Sequence, residues 1–301
     1  MAFILGVDGG NTKTDYFLFD TEANFIDFYR GGTCSHEGLK DSFEGSYRVM
    51  NEVIGKLLER NNLTVSDIKA SVFGLAGVDT PNQKQKLEEV VSRIGFSNFR
   101  VVNDSFLGIK AGTKNGVGVC SINGTGTSSG GIDDEDNYLQ VGGIGAIVGD
   151  EAGGYHLSRQ VVRAVYDEAY RFGKKTSLTP IVYDLLNVTD KYYLMEKISE
   201  YYLSRKVDYT TLTIACFDEA NKGDEVALSI LTKTAENLAR SAGGVVVSLK
   251  FQEPVQIVLA GSVWVKGSCP VMVEEFKKFI NHFTGKNCEV TVLTVPPATG
   301  A

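Results

Sequence analysis

The sequence predicts an α/β protein of two domains that face each other across a ligand cleft. Three observations carry this. Short apolar runs of strand length alternate with longer stretches of helical periodicity. A strand, glycine turn, strand pattern opens the chain at residues 3–19 and returns at residues 116–132, about 115 residues later. Polar, glycine-containing stretches follow the apolar runs, and α/β domains gather their ligands at strand ends.

Phe3 to Val7 is an apolar run that stops at Asp8, turns on Gly9 and Gly10, and leads away through Tyr16 to Phe19. Residues 24–30 continue as a third strand, so the chain opens on an antiparallel meander. Phe43, Tyr47, Met50, Ile54 and Leu57 form one apolar stripe at helical spacing over 41–60. Lys69 to Leu75 is a strand that ends in a glycine-containing stretch at 74–77. Thr80, Pro81 and Gln83 form a helix start, with Thr as N-cap and Pro at the first helical position. That helix turns Leu87, Val90, Val91 and Ile94 inward, and Gly95 closes it. Phe99 to Val102 is a strand ending at Asn103, Asp104 and Ser105, with a helix to follow.

Gly116 to Ile122 opens the second half as an apolar strand, and Gly124, Thr125, Gly126 and Thr127 form its turn. Residues 127–132 lead away, and an acidic tip at 133–136 turns into a strand from Tyr138. The expected boundary gives domains 1–115 and 116–301, the last residues returning to the first domain. A long helix is expected over 151–172, with Leu157, Val161, Val165 and Ala169 inward. Thr179 and Thr189 are expected to cap two more, and the tyrosines of 192–202 to form a helix packing face. Helices follow at 208–221, 224–250 and 270–282, with strands at Val255–Leu259 and 289–294.

Composition narrows the function. At 301 residues, 43% hydrophobic and 22% charged, the chain has room for two globular domains. A net charge of −7 argues against nucleic-acid binding. No signal peptide and no run of about 18 apolar residues is present, so a cytoplasmic protein without a membrane partner is expected. The five cysteines and three histidines are scattered, which favours free buried thiols over a zinc site.

The chemistry lies in the glycine turns. Gly9 and Gly10 let backbone N–H groups approach an anion closely. Thr12 and Thr14 add hydroxyls, Lys13 adds a positive charge, and Asp8 is placed to hold a metal ion; an ordinary hairpin turn is the alternative. No GxGxxG opens a helix, no GxxxxGK[ST] is present, and no kinase HRD or DFG set occurs. Two glycine–threonine turns and a strand-end Asp fit phosphoryl transfer better than a redox cofactor.

Gly6-Val-Asp-Gly-Gly-Asn-Thr-Lys-Thr14 resembles the first phosphate motif of the actin, Hsp70 and sugar-kinase superfamily. The closer resemblance is to N-acetylglucosamine kinases within the BadF/BadG/BcrA/BcrD ATPase family. Val102, Asn103 and Asp104 resemble that family's strand-end catalytic segment, and Ser121 to Gly126 its second phosphate motif. Gly142 to Gly145 followed by Val148 to Gly153 resembles its sugar-binding segment, and Ala260 to Val263 its motif near the adenosine. Five motifs in order span nearly the whole chain.

This resemblance implies the two-domain, actin-like ATPase (ribonuclease H-like) fold and an ATP-dependent amino-sugar kinase acting on N-acetylglucosamine, N-acetylmuramic acid or both, at the 6-hydroxyl. Asp104 is then the general base, although it also suits an N-cap. Asp8 would hold Mg²⁺, largely through water. Gly10, Asn11, Thr12, Lys13, Gly124, Thr125, Gly126, Gly261 and Ser262 would hold ATP. The sugar would meet Ser35, His36, Gly77, Asn103, Asp104, Gly143, Ile144, Asp150 and Glu151. His36 either touches the sugar or sits on the surface, and Asp150 and Glu151 also suit a helix N-terminus. His156 and His282 read as structural. The assembly implied is a homodimer whose other partners are ATP and the sugar.

The chain departs from the family at two positions: Ile144 stands where a Trp is common, and Ser35 where an Asn is common. Both changes widen the expected pocket. The family's final helix would begin at Pro297 to Ala301, where this sequence ends. Two competing classes remain: an ATPase activator of a radical dehydratase, which would need a close pair of cluster-binding cysteines, and a non-catalytic sugar sensor, which would lack the Asp.

Overall fold

Phe3–Gly9 (β1) pairs antiparallel with Lys13–Asp20 (β2), and β2 pairs antiparallel with Phe25–Gly32 (β3). These pairings come from a computed structural model that describes residues 2–204 and 207–300. Helix α1 (Ser42–Arg60) carries the chain to Ile68–Leu75 (β4), which lies parallel to β1. Helix α2 (Pro81–Ile94) returns it to Phe99–Val102 (β5), parallel to β4. The first sheet therefore runs β3-β2-β1-β4-β5.

The second sheet repeats this plan. Gly118–Asn123 (β6), Thr127–Ile132 (β7) and Tyr138–Gly142 (β8) form an antiparallel meander. Val255–Ala260 (β9) lies parallel to β6, and Cys288–Val292 (β10) parallel to β9. Its order is β8-β7-β6-β9-β10, position for position that of the first sheet. The helices between β8 and β9 are α4 (Gly153–Tyr170), α5 (Leu178–Leu186), α6 (Leu194–Leu203), α7 (Tyr209–Asn221) and α8 (Glu225–Ser248); α9 (Ser262–Lys266) and α10 (Pro270–Thr284) follow β9.

Local chemistry explains the helix ends. Thr80 accepts a hydrogen bond from Gln83 N at the start of α2, Pro81 fills the first position, and Gly95 ends it in the left-handed region. Asp208 caps α7, and Asp224 caps α8 through the amides of Val226 and Ala227. Two expected caps move. α5 starts after Ser177, which leaves Thr179 and Pro180 inside its first turn, where a proline lacks no needed donor. Asp190, not Thr189, caps the 3₁₀ turn that leads into α6. The tyrosines nearby do not make a packing face: Tyr192, Tyr193 and Tyr202 are exposed, and Tyr201 alone joins the core. The short helix α9 had no counterpart in the sequence reading.

Each sheet has its own core. Leu5, Val7, Leu18, Phe73 and Val101 pack with Met50, Ile54 and Leu57 of α1 and Leu87 and Val91 of α2. Val119, Ile257 and Leu259 pack with Leu157, Val161 and Val165 of α4 and with Leu231, Leu238 and Ala242 of α8. The five cysteines are buried and unbonded. No helix among the described residues is long and apolar enough to cross a membrane.

Helix α3 (Asp104–Gly112) joins the halves. It follows β5 of the first sheet, yet its Ile109 belongs to a third cluster with Cys120, Val258, Ala260 and Leu293 of the second half. Leu107, on the same helix, lies over Gly74 of β4. The last turn, Pro297–Gly300, packs back on α3, β1 and β2.

Candidate active site

The three parallel strands of the first sheet each end in a carboxylate. β1 delivers Asp8, the segment after β4 delivers Asp79, and the residue after β5 is Asp104. From the other half, β6 ends at the Gly124–Gly126 turn and β9 at Gly261. All of these line one cavity of about 500 Å³ between the two halves, a size that suits small-molecule sites.

The two glycine turns touch. Thr12 Oγ1 and Thr125 Oγ1 are 2.9 Å apart, 113 residues apart in sequence. Gly10 N donates to Lys13 O and Thr33 Oγ1 donates to Gly10 O, both at 2.9 Å, which fixes the first turn. The second turn is held by the start of α4. Gly153 N donates to Asn123 Oδ1 at 2.8 Å, Gly154 N to Gly124 O at 2.8 Å, and Tyr155 N to Thr125 O at 3.2 Å. These N–H groups have no partner within the helix, and here the turn supplies one. Gly153 must be glycine: its φ is +83°, and a Cβ there would collide with the Thr125 carbonyl oxygen.

Burial first, then the charges of Asp8 and Asp79, pushes the Asp104 carboxyl up to about 7. Burial and the neighbouring Asp15 push Asp8 up to about 6. Burial also pushes up Asp15, but hydrogen bonds from Arg30 and Lys13 outweigh it and hold that carboxyl below its usual range. Lys13 Nζ and Arg30 Nε each lie 2.6 Å from Asp15. Both cations are thus spent on Asp15, and among the described residues no side-chain hydrogen bond reaches Asp8.

That unpartnered carboxylate in the cavity is a fit for Mg²⁺. No group of three or more His, Cys, Asp or Glu that could cage a metal occurs among the described residues. Mg²⁺ does not need one, because it keeps several waters and takes one or two carboxylates plus substrate phosphates.

Of the residues expected from the sequence, Asp8, Gly10, Asn11, Thr12, Lys13, Gly77, Asn103, Asp104, Gly124, Thr125, Gly126, Gly143, Asp150, Gly261 and Ser262 line the cavity. Four do not. Ser35 and His36 are buried behind Gly77, where a Cβ would lie 2.9 Å from His36 Cε1 and 3.5 Å from Ser35 Oγ. His36 stacks on Phe43 at 4.2 Å between centroids, so it is not a surface residue. Ser35 Oγ and His36 Nδ1 are both buried without a hydrogen-bond partner. Ile144 is 55% exposed and stands outside the lining. Glu151 is exposed, with Asn237 Nδ2 donating to its carbonyl oxygen at 3.2 Å. Asp150 Oδ2 accepts from Gly143 N at 2.9 Å and Gly145 N at 2.7 Å, so its carboxylate shapes the glycine loop from within.

The cavity also holds Glu37, Asp79, Tyr155, His156 and Arg159. Asp79 was hidden by the helix-start pattern beside it, yet its place just past a parallel strand was a usable signal. His156 differs from the structural histidine expected, since its Nδ1 is buried without a partner in the cavity wall. Burial pushes its imidazole down, so it is neutral near pH 7.

The whole chain resembles known proteins. It is 27% identical over 283 residues to the N-acetylmuramic acid/N-acetylglucosamine kinase of Clostridium acetobutylicum, covering 93% of this chain and 91% of the relative. It is 25% identical over 309 residues to the N-acetyl-D-glucosamine kinase of Dictyostelium discoideum, covering 99% and 95%. A candidate N-acetylglucosamine kinase structure from Chromobacterium violaceum superposes with a TM-score of 0.71 at 18% identity, covering 100% of this chain and 97% of that one. A ROK family glucokinase from Streptomyces griseus, solved with glucose and AMPPNP, gives 0.62 at 16% identity, covering 99% and 96%. These structures share the two-domain actin-like fold of the sugar kinases. The family described as BadF/BadG/BcrA/BcrD ATPase matches residues 5–301, and the chain belongs to it.

Proposed function

We propose that this chain is an ATP-dependent N-acetylhexosamine kinase that phosphorylates N-acetylglucosamine and N-acetylmuramic acid at the 6-hydroxyl. The observation that carries this is the cavity that half-buried Asp104 lines together with two touching glycine–threonine turns. The curated relatives, both named as amino-sugar kinases, support the substrate class.

Asp104 is the general base. A carboxyl raised to about 7 is half-ionised near neutral pH, where a base transfers protons best. The sugar oxygen forms its bond to the γ-phosphorus as its proton passes to Asp104. The bond from that phosphorus to the bridging oxygen breaks, and ADP leaves with the electron pair. The backbone and hydroxyls of Gly10, Asn11, Thr12, Gly124, Thr125 and Gly126 hold the phosphates, with Lys13, paired to Asp15, at the edge of the same turn. Gly261 and Ser262 flank the nucleoside. Asp8 holds Mg²⁺, which neutralises phosphate charge when bound. Gly77, Asn103, Gly143 and Asp150 contact the sugar, with Ser35 and His36 behind Gly77 and Ile144 and Glu151 at the loop's outer side.

The buried cysteines leave no thiol presented for a cluster shared with a second copy, which favours the kinase over a dehydratase activator. A coupled ADP-release screen over glucosamine, N-acetylglucosamine, N-acetylmuramic acid, N-acetylmannosamine and glucose tests the proposal. Turnover with the two named N-acetyl sugars is expected. Turnover with glucose alone, or with no sugar, would refute it.

A further inference from the structure

Asp79 sits at the centre of a hydrogen-bond chain that crosses the cleft. Its Oδ1 accepts from Gln140 Nε2 of β8, in the second half. The same oxygen accepts from Asn103 Nδ2 at 3.3 Å. Asn103 is the N-cap of α3: its Oδ1 accepts from Ser105 N at 3.1 Å and from Ser105 Oγ at 2.7 Å. Both ends of the Asn103 side chain are therefore engaged, and the next residue is Asp104. Asp79 N is itself tied down by Gln83 Oε1 at 3.1 Å.

The other arm reaches the glycine loop. Gln140 Nε2 also donates to Gly142 O at 3.2 Å. Gly143 has φ +98°, and a Cβ there would lie 2.6 Å from Asp79 Oδ1. The loop is thus bonded by Asp150 from its own half, while Asp79 of the opposite half lies close beside Gly143 and reaches the Gly142 carbonyl through Gln140. Burial first, then the charges of Glu37 and Asp150, pushes the Asp79 carboxyl up, while the Gln140 bond opposes that rise. An acceptor held against such costs needs its donors in place.

We propose that Asp79 is a positioning residue: by bridging Gln140 and Asn103 it locks Asp104 and the Gly142–Gly145 loop into one geometry when the two halves meet. The inference rests on the kinase reading above and adds that the base is aligned only while the second half supplies Gln140. Within the first half Ser105 holds the carbonyl end of the Asn103 side chain and Asp79 its amide end, and Gln140 of the second half supplies the other donor to the same Asp79 oxygen.

The test combines kinetics with an activity-independent readout. Asp79→Ala should lower kcat for N-acetylglucosamine by about 10²-fold, the cost of misplacing a reacting group by about 1 Å, with KM for ATP unchanged. Asp79→Asn should recover most of the rate, because an amide oxygen still accepts from both partners. Gln140→Ala should also lower kcat, and the double variant Asp79→Ala/Gln140→Ala should be no slower than the slower single one, as expected for two members of one chain. In hydrogen exchange with MgADP bound, Asp79→Ala should speed exchange together at the Ser105 amide and at Gly143 and Gly145.

Multiplying losses in the double variant would overturn the proposal. So would a loss confined to the sugar KM, an Asn variant as slow as Ala, or unchanged exchange at these amides. If the wild-type protein phosphorylates none of the sugars while the coupled exchange change is present, the kinase reading fails and the bridge stands.

Discussion

The two halves share a strand order but divide the labour. Each parallel strand of the first sheet ends in or leads to a carboxylate: Asp8 in β1, Asp79 in the segment after β4, Asp104 after β5. In the second sheet β6 and β9 end at uncharged glycines, Gly124–Gly126 and Gly261, and the start of α4 holds the first of these in place. One half therefore gathers three half-buried carboxylates in the cavity wall. The other offers uncharged glycine turns in fixed positions at the ends of β6 and β9. On the proposed reading, transfer from an anionic triphosphate uses both: carboxylates for the base and metal-ligand roles on one side, and an uncharged glycine cradle for the phosphates on the other. The repeat supplied two similar scaffolds, and the residues at the strand ends made them different.

The sharpest way to break this division is to neutralise its first half. Asp104→Asn should lower kcat by about 10²–10⁴-fold, the usual worth of a general base, while fold and sugar affinity persist. Circular dichroism and sugar titration would check the latter two. A near-wild-type kcat would remove Asp104 from the mechanism.

Disturbing the second half should act through geometry. Gly153→Ala drives a Cβ into the carbonyl of Thr125. Overpacking of this kind costs about 1–3 kcal/mol, so KM for ATP should rise and the melting temperature should fall by several degrees. Gly154→Ala, one residue on, has its nearest neighbour at 3.4 Å and should be close to neutral. Equal effects from the two would mean that the α4 start does not set the turn.

The smallest effect separates the halves by pH. Asp104 has an ordinary carboxylate pKa near 3.9 when unfolded and one raised to about 7 when folded. The native state binds the proton more tightly, so its stabilising contribution is complete below about pH 4 and is lost as pH rises through about 7. Asp104→Asn should accordingly raise the melting temperature more at pH 8 than at pH 4, with each kcal/mol worth about 2–4 °C. Calorimetry at the two values would show it, and a gain independent of pH would contradict it.

Most of the fold was legible because strands and helices here keep clean apolar periods. Leu5, Val7 and Leu18 are buried as the opening run requires, and so are Met50, Ile54 and Leu57 of the α1 stripe. The turns at 9–14 and 124–127 were legible because glycine and threonine cluster there directly between two apolar runs. What stayed hidden depended on contacts distant in sequence. Nothing near Asp79 says that Gln140 meets it across the cleft, and nothing near His156 or Arg159 says that one face of α4 borders the cavity. The exposed tyrosines of 192–202 were misread because aromatic density alone does not say which face a neighbour covers.

The central claim is phosphoryl transfer from ATP to an amino sugar. Incubating the protein with MgATP and N-acetylglucosamine, and following the sugar by ³¹P NMR and mass spectrometry, tests it most directly. The account predicts one new phosphomonoester at the 6-position, formed in step with ADP and abolished in Asp104→Asn. ADP released without any phosphorylated sugar, or the same product at the same rate from Asp104→Asn, would contradict it.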